Sequence, residues 1–175
     1  MKTTEAKLKG IRVIDFEKHA DERGSYTRVW GLQEFRNLGM EPSIDNIGIS
    51  RNNLKGTFRG MHFQAKPFEE AKVVQCIRGR ILDIVLDIRE GSETFGEHES
   101  FELSGGESRA VYIPKGFAHG FQTLEDNSEM LYFISTPFDP ASSRGIRWND
   151  SRFSIELPLE ITSINERDAT YPDFS

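Results

Sequence analysis

The chain has 175 residues, enough for one sizeable domain with a closed core. Its formal net charge of -6 argues against nucleic acid as a partner, because phosphate backbones are met by basic surfaces. Cys76 is the only cysteine, which excludes an intrachain disulfide and a multi-cysteine metal site, and no run of about 18 apolar residues marks a membrane span.

The opening "MKTTEAKLKG" lacks the apolar core of a signal peptide, so the cytoplasm is the expected location. No linker, repeat or low-complexity stretch interrupts the chain, and residues 1–175 are expected to form a single domain. The 13 Phe and 15 Gly favour strands and turns over a helical bundle. One short helix is predicted in "LQEFRNLGM", Leu32 to Met40, where Leu32, Phe35 and Leu38 recur at helical spacing and Gly39 supplies a stop. "KVVQCI" (Lys72 to Ile77) and "RILDIVLDI" (Arg80 to Ile88) flank Arg78-Gly79 and predict a hairpin. Alternation puts Ile81, Asp83, Val85 and Asp87 on one face of the second strand and Leu82, Ile84, Leu86 and Ile88 on the other. "SFEL", "AVYIP", "GFQTL" and "EMLYFIS" follow, divided by short turns. The pattern is that of an all-β sandwich or barrel. From Pro137 onward the chain is richer in Pro, Asp and Ser, and is expected to wrap the barrel irregularly, with "RGIRWND" as a structured loop.

Two histidine-bearing stretches carry the chemistry. In "RGMHFQ", Arg59 to Gln64, strict alternation puts His62 and Arg59 on opposite faces, unless Gly60 introduces a bulge. In "IPKGFAHGF", Pro114, Gly116 and His119 reproduce the P-x-G-x-x-H spacing of the second cupin motif, with the strand after the turn aiming His119 into a barrel. Many cupins bind a metal through such a histidine and an H-x-H pair. Here Gln64 stands where the second histidine of the pair would be, and two histidines without a third ligand make a poor transition-metal site. His119 as a hydrogen-bonded core histidine remains an alternative. Lys72 opens a strand, and Tyr132 sits in the nearly apolar "EMLYFIS"; each alone reads as a surface lysine and a core aromatic. Together with a histidine they fit one reaction. Histidine can take a proton from carbon beside a ketone, lysine can stabilise the enolate oxygen, and tyrosine can return a proton to the other face. That is a cofactor-free epimerase.

The motifs "DERG" (Asp21 to Gly24), "KGTFRGMHFQ" (Lys55 to Gln64), "EEAKVVQCIRGRILDIVLDIR" (Glu69 to Arg89), "IPKGFAHGFQTL" (Ile113 to Leu124), "EMLYFIS", "RGIRWNDSRFSIELP" (Arg144 to Pro158) and "INERD" (Ile164 to Asp168) occur in order. Together they make the chain resemble the dTDP-4-dehydrorhamnose 3,5-epimerase family over nearly its whole length. The resemblance implies a cupin-like jelly roll with a short N-terminal helix, forming a homodimer and using neither metal nor other cofactor. It implies an isomerase acting at C3 or C5, or both, of a nucleotide-diphosphate-linked 4-keto-6-deoxy sugar in deoxysugar and polysaccharide biosynthesis. Carried over, His62 is the base, Asp168 the carboxylate that orients it, Lys72 the enolate stabiliser and Tyr132 the acid. Arg59 and Arg23 are implied pyrophosphate ligands. His119 and Gln64 are implied to line the substrate cavity. Where well-known members carry glutamate, this chain has Arg28; Asn46 and Gly48 stand for a Gln-x-Asn pair, and Phe138 for a tyrosine. These positions belong to the nucleotide end, so dTDP, CDP and GDP remain open, as does epimerisation at one centre only. A cupin that merely binds a sugar nucleotide is the non-catalytic alternative, disfavoured because binding needs no base and acid.

Overall fold

The computed structural model describes residues 1–174, among which there are thirteen strands and two short helices. Strands β1 (Lys2–Glu5) and β2 (Arg12–Asp15) are followed by a small hairpin, β3 (Lys18–Asp21) and β4 (Gly24–Thr27). Helix α1 (Leu32–Asn37) precedes β5 (Asn46–Asn52), β6 (Phe58–Gln64), β7 (Lys72–Arg78), β8 (Arg80–Asp87) and β9 (His98–Ser104). Then come β10 (Arg109–Ile113), β11 (Phe117–Thr123), β12 (Ser128–Ile134), β13 (Ser143–Gly145) and α2 (Glu166–Ala169). The six-stranded sheet runs β1-β2-β10-β7-β12-β5 and the five-stranded sheet β13-β6-β11-β8-β9, all pairings antiparallel. This is the expected all-β, cupin-like jelly roll.

Three layers of apolar contact hold it together. Val74, Cys76 and Met130 of the six-stranded sheet meet Ile81, Val85 and Phe121 of the five-stranded one in the interior. On the outside of the six-stranded sheet, Val73, Tyr112 and Phe133 are covered by Phe35 of α1. Full burial of such an aromatic contributes ~1.5–3 kcal/mol. On the outside of the five-stranded sheet, Ile84 and Leu86 are covered by Ile146, Phe153 and Ile155 from the C-terminal segment. The apolar residues on both faces of "RILDIVLDI" thus have a physical reason: one face looks into the barrel, the other under the C-terminal wrap.

Two expectations are corrected. β7 and β8 do not form a hairpin: β7 pairs with β10 and β12, whereas β8 pairs with β9 and β11. Arg78-Gly79 is instead the corner at which the chain passes between sheets. Gly79 turns it at φ +70°, and a Cβ there would lie 2.4 Å from Ser128 Oγ. Periodicity cannot separate a hairpin from a corner, because both need two strands and a glycine. The C-terminal segment wraps the barrel largely irregularly, as expected, with two short regular pieces. The start of "RGIRWND" belongs to β13, which pairs with β6, and "INERD" runs into α2. The predicted helix is shorter, ending at Asn37, with Gly39 in the left-handed region at φ +68°.

Candidate active site

The site is built around a bulge in β6. His119 lies opposite His62, while Phe121 lies opposite Arg59, so two steps on β11 meet three on β6. Gly60 takes up the extra residue at φ +141°, a conformation closed to other residue types. The alternation is thereby broken, and Arg59 and His62 line one cavity of about 590 Å³, a size suited to a small-molecule ligand.

His62 is the exposed member of a carboxylate pair. Its Nε2 lies 2.7 Å from Asp168 Oδ1, and the fully buried Asp168 also accepts the Gly60 amide at Oδ2, 3.1 Å away. Asn165 caps α2 by accepting the Asp168 amide, which fixes the carboxylate over β6. Burial alone would raise the Asp168 pKa. The hydrogen bond and charge of His62, the Gly60 amide and Asn165 outweigh burial and hold it below the usual carboxylate value. An ionised Asp168 keeps the hydrogen on Nε2 and leaves Nδ1 with its lone pair, which is the form a base requires.

Across the barrel stands Tyr132 on β12, in the other sheet. Burial pushes its phenol far above the ordinary value, the Asp83 charge adds to the rise, and Arg59 opposes it. Lys72, buried at the head of β7, places Nζ 2.9 Å from Glu70 Oε1 and 3.4 Å from the His62 carbonyl. Arg59 is braced from behind: its Nε donates to Asn52 Oδ1 at 2.7 Å, and Asn52 in turn donates to the Ser128 carbonyl. His119, 4% exposed, pairs through Nε2 with Asp83 Oδ1 at 2.6 Å. It is therefore both the hydrogen-bonded buried histidine and a cavity wall. Asn46 and Phe138 also line the cavity, Phe138 with 63% of its surface exposed.

Three expected ligands are placed differently. Gln64 lines the cavity, but its amide is committed to the protein: Nε2 donates to the Phe68 and Pro137 carbonyls and to Glu70, and Oε1 accepts the Asp139 amide. It is a brace rather than a free donor. Arg23 sits in the β3–β4 turn, 87% exposed and paired with Asp21, and Arg28 is paired with Glu34. Neither lines the cavity within one chain: Arg23 sits on the β3–β4 hairpin, a sheet of its own apart from the barrel, and Arg28 follows directly after β4. Sequence reasoning missed Glu70, Asn52, Asp83 and Arg167. Asp83 had a signal, a carboxylate on the inward face among Ile81 and Val85. Arg167, which lines the cavity and bonds Ser143 Oγ at 2.6 Å, had none beyond its place beside Asp168. Among the described residues no three His, Cys, Asp or Glu side chains group as a metal site.

A jelly roll whose cavity sets a carboxylate-backed histidine on one sheet opposite a tyrosine on the other, with a buried lysine in the same lining, defines a cupin-like isomerase. Residues 5–175 match the family model described as dTDP-4-dehydrorhamnose 3,5-epimerase, and the chain belongs to that family. It is 36% identical over 170 residues to the dTDP-4-dehydrorhamnose 3,5-epimerase of Methanothermobacter thermautotrophicus, covering 94% of this chain and 89% of that protein. It is 32% identical over 164 residues to the dTDP-4-dehydrorhamnose 3-epimerase of Streptomyces niveus, covering 92% and 78%. The crystal structure of the Bacillus anthracis 3,5-epimerase with TDP and PPi bound superposes with a TM-score of 0.94 at 29% identity, covering 99% of each chain.

Proposed function

We propose that the protein epimerises a nucleotide-linked 4-keto-6-deoxyhexose by removing and returning a proton beside the ketone. One observation carries this reading: His62 and Tyr132 project into one cavity from opposite sheets. A sugar between them meets a base on one face and an acid on the other, as inversion requires. His62 Nδ1 takes the proton from carbon, and Asp168 stabilises the imidazolium that forms. Lys72 meets the charge that develops on the keto oxygen, and it is buried, where such a charge counts for most. Tyr132 delivers its proton to the opposite face. Arg59 is proposed to take the diphosphate, for which its planar fork is suited, while His119 and Asn46 contact the sugar nucleotide and Phe138 stacks at the mouth.

Deoxythymidine diphosphate is not required by this geometry; the relatives' dTDP names make dTDP the first nucleotide to test. The 3-epimerase of S. niveus keeps inversion at a single carbon as the second reading. The whole chain is proposed to act as one domain in the cytoplasm, and as a homodimer. In support of the dimer, β5 is an edge strand of its sheet with Ile47 and Ile49 exposed, a surface that asks for a cover. A second copy seated there also offers a place for Arg23 on its free-standing hairpin. Proton exchange from D₂O into a dTDP-linked 4-keto-6-deoxyhexose tests the reaction: deuterium at C3 and C5, or at one of them, supports it, and none at either sinks it. Light scattering tests the dimer.

A further inference from the structure

Asp83 lies fully buried on β8, facing inward with Ile81 and Val85. Oδ1 meets His119 Nε2, but Oδ2 is buried with no hydrogen-bond partner. A bare carboxylate oxygen is costly, since its lost hydration is not replaced. His119 in turn stands edge-on to Tyr132, with ring centroids 6.1 Å apart, and both side chains line the same cavity. The reaction proposed above needs neither Asp83 nor a titrating His119.

That reaction leaves the site unbalanced. After each inversion His62 holds one proton too many and Tyr132 one too few. His62, with 40% of its side chain exposed, can release its proton to water. Burial and the Asp83 charge hold the Tyr132 phenol well above its ordinary value, so its phenolate is a poor state to leave waiting.

We propose that His119, held by Asp83, re-protonates Tyr132 and so resets the acid between inversions. The inference rests on the epimerase reading. The Nδ1–H bond of the His119 imidazolium breaks and the Tyr132 O–H bond forms, while the Nε2–H stays on Asp83 Oδ1. Neutral His119 regains a proton at Nδ1 from cavity water, and His62 gives one back, so no net proton is consumed. The Asp83 carboxylate serves both ends of the transfer: it holds His119 through Nε2, and its charge disfavours the Tyr132 phenolate. Asp83 is a positioning residue in this scheme.

The test compares the first inversion, with enzyme in excess, against the steady state, with substrate in excess, on a dTDP-linked 4-keto-6-deoxyhexose. Asp83→Asn nearly conserves volume. It should invert its first equivalent within about twofold of the wild-type rate, because Tyr132 starts protonated, while steady-state turnover falls by about tenfold or more. His119→Gln gives the second readout: imidazole added at constant pH and ionic strength should raise its steady-state rate by replacing the lost proton carrier. Equal falls in both phases for Asp83→Asn, or no response of His119→Gln to imidazole, would overturn the reset. A wild-type protein that neither inverts nor exchanges overturns the epimerase reading, and the reset falls with it.

Discussion

Gly60 and Gly120 face each other across β6 and β11 so closely that a Cβ on Gly60 would lie 2.4 Å from Gly120 Cα. The two glycines let the strands touch backbone to backbone at the bulge, and the bulge is what turns both Arg59 and His62 into the cavity. Gly60→Ala should therefore cost both stability and activity. The φ of +141° and the clash act together, and a loss of ~2–4 kcal/mol is expected. Chemical denaturation measures it; a change below about 0.5 kcal/mol would mean that the strands part freely at this point.

His62→Ala should abolish most solvent exchange, because no other side chain is proposed to remove the proton. A fall of about 10²–10⁴ is expected for a general base, with nucleotide binding retained. Exchange followed by NMR in D₂O, beside calorimetric titration with dTDP, checks both halves. Near-normal exchange would remove His62 from the role.

Tyr132→Phe keeps the ring and loses the proton donor. Exchange into substrate should outlast net inversion, since His62 can still return a proton to the face it came from. A stability effect should accompany it. The raised phenol binds its proton more tightly folded than unfolded, so its contribution is fully present below about pH 10 and is lost as pH rises beyond. Wild type should lose Tm above about pH 10 faster than Tyr132→Phe. Parallel Tm curves across that range would count against a desolvated Tyr132.

Asp168→Asn should depress exchange and inversion together, because the base is both misoriented and less basic. The lowered Asp168 pKa stabilises the folded state above the unfolded carboxyl value, about 3.9, and that contribution disappears as pH falls through the folded value. The variant should thus be less stable than wild type at neutral pH and converge with it in acid. A gap in Tm that stays constant from neutral pH into acid would refute this.

Activity should persist in EDTA. The cavity histidines His62 and His119 each already bind a carboxylate through Nε2. Loss of activity on chelation, restored by a divalent metal, would replace the acid–base scheme with a metal-assisted one.

Much of this was legible in the chain because it depends on local pattern. The alternating strands, the turn before His119 and the glycine that breaks alternation in "RGMHFQ" are all short-range signals. The pairing of His62 with Asp168 spans 106 residues, and no spacing rule reaches that far; the family resemblance alone suggested it. The β7–β8 corner was misread because sheet assignment is decided by distant partners. Gln64 lines the cavity as expected, but its bracing role was illegible for the same reason: its amide is occupied by loops that lie elsewhere in sequence. The small strands β1, β3 and β4 are mostly polar and exposed, so they carry no apolar alternation to read.

The Gln64 brace has an effect at the mouth of the cavity. Its amide holds the Pro137 carbonyl on one side of Phe138 and the Asp139 amide on the other. The exposed ring of Phe138 therefore projects from backbone that is anchored on both flanks, rather than from a swinging loop. An aromatic or sugar surface that lands on it meets a platform whose ordering entropy was surrendered during folding, and association there forfeits little further freedom.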